Sequence, residues 1–107
     1  MCTFAGWEFD IGARILISPD KVEISISSGE FELLKAFVEH PQKVLSRDFL
    51  MDLTHNRHFE PFDRSIDVQV SRLRQKIEQD PKKPILIKTV RGGGYMLTVK
   101  VETKARL

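Results

Sequence analysis

The stretch from Asp63 to Ile77, DRSIDVQVSRLRQKI, constrains the fold more than any other part of the chain. At 3.6 residues per turn it places Ile66, Val70, Leu73 and Ile77 on one stripe. Arg64, Val68, Ser71, Arg72 and Gln75 fall on the far side, and Arg74 and Lys76 flank the stripe. One face is therefore fit for a core. The other shows arginines, short polar groups and one branched apolar side chain. That outer face suits a DNA major groove, where arginine reaches guanine or phosphate and a branched side chain meets a thymine methyl. An amphipathic surface helix with a solvated basic face has the same pattern.

Charge weighs the two readings. Residues 1–63 hold 6 Lys/Arg against 11 Asp/Glu, residues 64–91 hold 8 against 3, and residues 92–107 hold 3 against 1. The net +2 thus conceals −5, +5 and +2. Basic charge gathered from the amphipathic helix onward is the footprint of a polyanion binder. A membrane surface suits it less, because the apolar stripe lacks aromatic anchors.

A chain of 107 residues makes one domain with a real core and no staples. The single cysteine, Cys2, excludes an internal disulfide and fits a reducing compartment. No apolar run approaches the roughly 20 residues that span a bilayer, and no secretory signal is visible.

The first 27 residues read as short antiparallel strands. Trp7, Phe9 and Ile11 alternate with polar residues, Ile15-Leu16-Ile17 follows, and Val22, Ile24 and Ile26 alternate after a Pro19-Asp20 turn. Ser27 and Glu30 have capping-box spacing and open a helix carrying Phe31, Leu33, Leu34, Phe37 and Val38, which ends at His40-Pro41. Ser46 caps a second helix through Phe49, Leu50 and Leu53. Residues 54–62 form a loop, Asp63 caps the third helix, and Asp80-Pro81 stops it. Two strands, 85–90 and 95–101, then flank an Arg91-Gly92-Gly93-Gly94 turn, with residues 102–107 as a frayed tail. The order is that of an α+β winged helix-turn-helix. The second and third helices form the binding pair, and the C-terminal β-hairpin is the wing.

With these elements in place, the chain resembles the C-terminal DNA-binding effector domain of OmpR/PhoB-type response regulators. The carriers are SSGEFELL, VLSRDFL, DRSIDVQVSRLRQKI and TVRGGGYML, in that order, within about Phe4 to Leu97. The resemblance implies a four-stranded N-terminal antiparallel sheet and, upstream, a phosphorylatable receiver domain absent from residues 1–107. It also implies a cytoplasmic bacterial protein, and a cognate histidine kinase reached only through that receiver. By position, Arg72 matches the arginine that reaches base edges, and Val68 matches an apolar base contact. Arg64, Ser65 and Arg74 match phosphate-contacting or helix-anchoring positions. Arg91 matches the wing residue that enters the minor groove, and Thr89 lies at the wing base. Ser71, Lys88 and Gly92 complete the set of expected DNA contacts. Ser71 stands where some members carry arginine, Gln69 where some carry histidine, and His55 where many carry tryptophan. In some members the loop at 55–63 meets RNA polymerase.

Other signals have plainer explanations. Asp67 is placed to pair with Arg64 or Arg74, or to favour the helix dipole as a first-turn acid. Asp52, His55 and His58 lack the further ligands a metal needs, so surface histidines and no metal are expected. Gly92-Gly93-Gly94 precedes a strand, not a helix, and marks a turn instead of a dinucleotide cradle. Trp7, Phe9, Phe31, Phe37 and Tyr95 fall on core positions. No nucleophile–base set, carboxylate pair or cofactor box points to catalysis. The expectation is sequence-specific binding of double-stranded DNA, on tandem direct-repeat half-sites, as the transcriptional output of a two-component system. The alternative is a winged-helix module that binds protein.

Overall fold

The computed structural model describes residues 1–54 and 65–103. Strands β1 (Cys2–Phe4), β2 (Trp7–Asp10), β3 (Ile15–Ile17) and β4 (Glu23–Ile24) form the expected antiparallel sheet. Its register aligns Cys2 with Phe9, Phe9 with Leu16, and Leu16 with Ile24. Phe4, Trp7, Phe9 and Leu16 are buried, as the alternation requires. Ile11 lies beyond β2, in a turn where Asp10 accepts the Ala13 N–H at 3.1 Å.

Three helices follow: α1 (Ser28–Glu39), α2 (Arg47–Thr54) and α3 (Ile66–Ile77). The Ser27/Glu30 capping box is complete, with bonds of 3.2 and 2.9 Å. Ser46 Oγ accepts the Phe49 N–H at 3.1 Å at the start of α2. Helix α1 is the central layer. Its Phe31 meets Phe9 of the sheet edge-on at 5.5 Å, and it packs against α2, α3 and the wing. Leu33, Leu34 and Phe37 are fully buried there beside Leu50, Val70 and Leu73. Among the described residues, no helix is long and apolar enough to cross a membrane.

Several boundaries differ from those expected, among them the end of α2, which includes Thr54 where a loop is expected. The cap of α3 is Ser65, whose Oγ accepts the Asp67 N–H at 3.1 Å; Asp63 lies outside the described residues. The helix ends at Ile77, ahead of Asp80-Pro81, because Glu78 turns extended to bind backbone further on. The tail is not frayed throughout. Glu102–Thr103 forms β7, antiparallel to β1, and makes the sheet five-stranded in the order β4-β3-β2-β1-β7. The open edge of β1 supplies the unpaired backbone groups that β7 satisfies. Both β7 side chains are exposed, so no apolar pattern announces the strand.

The wing is shorter than expected, with β5 (Ile87–Val90) paired to β6 (Gly94–Leu97). Leu45 adds a third edge, exchanging backbone hydrogen bonds with Tyr95 at 2.8 and 3.0 Å. That approach needs a glycine. Gly94 has φ +125°, and a Cβ there would lie 2.1 Å from the Leu45 carbonyl oxygen.

Candidate nucleic-acid interface

The stripe of α3 is seated as its periodicity requires. Ile66, Val70, Leu73 and Ile77 are at most 3% exposed. Val68, Ser71, Arg72 and Gln75 are exposed together on the outer face. Arg64 lies outside the described residues, as do His55, His58 and the 55–63 loop. Ser65 is exposed, but its hydroxyl is occupied as the helix cap.

Two expected contact residues, Arg74 and Thr89, are hydrogen-bonded to each other. Arg74 donates from Nε and Nη2 to the Ile87 carbonyl at 3.1 and 2.7 Å, and from Nη2 to Thr89 Oγ1 at 3.0 Å. Of the two roles carried over for Arg74, this geometry serves anchoring. Thr89 is the receiving end of the same bond. Lys88 and Arg91 are exposed on β5 and at the wing tip, beside Gly92, which has φ +75° and open space where a Cβ would stand.

Asp67 is paired, but not with Arg74. Its carboxylate accepts Arg47 Nε at 2.8 Å and the Tyr95 hydroxyl. These bonds hold Asp67 below the usual carboxylate range, the Tyr95 hydroxyl contributing most. Burial, and then the Asp67 contact, pushes Tyr95 above its ordinary value. Arg47 and Arg74 lie 5.2 and 5.4 Å from the Tyr95 ring centroid. One tyrosine thus joins α2, α3 and the wing. The Arg47–Asp67 pair is half exposed and screened by solvent, so it adds little stability; its value is orientation.

Arg47, Tyr95 and Glu78 were missed as determinants of this geometry. The sequence pattern assigns Tyr95 to the core alone. A signal existed for Arg47, since it opens the helix that precedes the basic one. Its partner lies 20 residues away, where periodicity cannot point. Among the described residues no group of three His, Cys, Asp or Glu side chains is placed to hold a metal.

The arrangement is a capped basic helix locked beside a basic-tipped hairpin, with α2 bracing both. Residues 21–97 match the family described as transcriptional regulatory protein, C terminal. The chain belongs to this family. As an OmpR/PhoB-type effector domain it is 50% identical over 98 residues to the regulatory protein VirG of Rhizobium rhizogenes, covering 92% of this chain and 41% of that protein. It therefore spans about two fifths of that relative's length. The domain also matches the Klebsiella pneumoniae RstA DNA-binding domain solved in complex with the RstA box. That match has a TM-score of 0.77 and 29% identity, covering 90% of this chain and 94% of the other. The Thermotoga maritima response regulator DrrB, an OmpR/PhoB homolog, matches with a TM-score of 0.76 and 32% identity, covering 90% of this chain and 43% of that one. A transcription-regulator domain is not an enzyme family.

Proposed function

We propose that this effector domain binds double-stranded DNA sequence-specifically and regulates transcription as the output of two-component signalling. Helix α3 enters the major groove, where Arg72 reads a base edge and Val68 meets a thymine methyl. Arg91 at the wing tip enters the adjacent minor groove, where a narrow A/T stretch has enhanced negative potential. Lys88 and the residues around it set register on phosphate. In the full-length regulator a receiver domain carries the kinase signal, and residues 55–63 meet RNA polymerase.

The observation that carries this reading is the joint exposure of Val68, Ser71 and Arg72 on α3 beside the exposed Lys88 and Arg91 of the wing. The RstA domain, crystallised with its own box, has the same fold. The competing reading, a protein-binding module, uses the same charges but predicts no preference among DNA sequences. Selection from random duplex DNA, followed by titration against salt with competitor DNA, separates them. We expect an enriched sequence and a steep fall of affinity with salt. Lys88→Ala should lower the salt slope by about one unit on every site. No enrichment, with binding confined to an acidic protein, would overturn the proposal.

A further inference from the structure

Arg74 in the last turn of α3 and Glu78 just beyond that helix both bind the segment that leads into β5. Glu78 is 7% exposed, and its carboxylate accepts the N–H groups of Ile85 at 2.9 Å, Leu86 at 3.0 and 2.9 Å, and Ile87 at 2.8 Å. Arg74 takes the opposite group of Ile87, its carbonyl, and then the Thr89 hydroxyl. Ile87 is fully buried and thus held at both its donor and its acceptor. Hydrogen bonds to ionised groups are short and roughly twice as strong as neutral ones. The following strand residues lead directly to the exposed Lys88 and Arg91.

We propose that Glu78 is a positioning residue for the wing. With Arg74 it fixes the span from the outer face of α3 to Arg91 before DNA is met. The minor-groove contact then forms without ordering the hairpin, a cost that otherwise subtracts from affinity. Glu78 is buried and acts through Arg91, not on DNA. The inference rests on the reading of α3 and the wing as the DNA-contacting pair.

The test compares wild type, Arg72→Ala and Arg91→Ala, each with and without Glu78→Gln. Fluorescence anisotropy follows binding to the selected duplex with A/T-rich or G/C-rich flanks, and circular dichroism follows the folded fraction. Glutamine turns an amide donor toward backbone donors, so the grip on β5 loosens. The folded Glu78→Gln protein should bind the A/T-flanked duplex about threefold or more weakly. The loss caused by Arg91→Ala should shrink by a similar factor, while the loss caused by Arg72→Ala stays unchanged. A merely structural role lowers the folded fraction and leaves both losses intact, which would overturn the inference. If Glu78→Gln does not fold, Arg74→Lys keeps the charge without the forked contact and should give the same pattern. An Arg91 loss undiminished in that background counts equally against it. If neither Arg72→Ala nor Arg91→Ala alone weakens binding, the DNA reading fails, and the positioning role with it.

Discussion

At the residue scale, Asp67 shows what helical periodicity reveals and what it hides. Its place in the first turn of α3 was legible, and so was its tendency to pair with arginine. Its actual partners, Arg47 and Tyr95, are 20 and 28 residues away and come together only when α2 and the wing pack on α3. The network has a pH signature. Asp67, lowered in the fold, contributes above the ordinary aspartate value of 3.8, and the contribution is lost as pH falls through its lowered value. Tyr95, raised in the fold, contributes below about 10, and the contribution is lost as pH rises through its raised value. Melting temperature should therefore hold a plateau between these limits. Asp67→Asn should flatten part of the acid limb. Tyr95→Phe should flatten part of the alkaline limb and cost about 0.5–1.5 kcal/mol at neutral pH. Limbs unchanged by either substitution would contradict this reading of the network.

At the element scale, the RGGG turn was legible as the wing tip, but the separate tasks of its glycines were not. Gly92 and Gly94 both have positive φ, yet only Gly94 abuts backbone, because Leu45 pairs with Tyr95. That pairing depends on a segment before α2 that carries little strand pattern. Gly92→Ala meets no atom and should cost about 1–2 kcal/mol of backbone strain. Gly94→Ala must displace the Leu45 carbonyl and should cost more than about 3 kcal/mol. Urea unfolding of the two variants decides the matter, and equal losses would show that the Leu45–Tyr95 contact does not constrain the wing. The early end of α3 has a similar origin. Glu78 is a good helix former by itself, yet its backbone is extended and its carboxylate accepts the N–H groups of residues 85–87.

At the scale of the whole molecule, the sheet–helices–hairpin order and the basic C-terminal half were readable from alternation, caps and charge. Strand β7 was not, since two exposed residues on a sheet edge leave no apolar trace. A single module of this kind buries roughly 600–1,000 Å² on DNA, so specificity in a genome calls for two copies. The domain should sediment as a monomer and occupy direct-repeat half-sites about one helical turn, roughly 10–11 bp, apart with modest cooperativity. A tight free dimer or a preference for inverted repeats would contradict that arrangement. Sequence readout by the outer face of α3 is the central claim, and Arg72 tests it most directly. Affinities of wild type and Arg72→Ala are measured on the selected duplex and on duplexes changed at one base pair each. Loss of about 1–3 kcal/mol, with discrimination erased at one base position and kept at the others, is the predicted result. Full discrimination retained at every position by Arg72→Ala would contradict it.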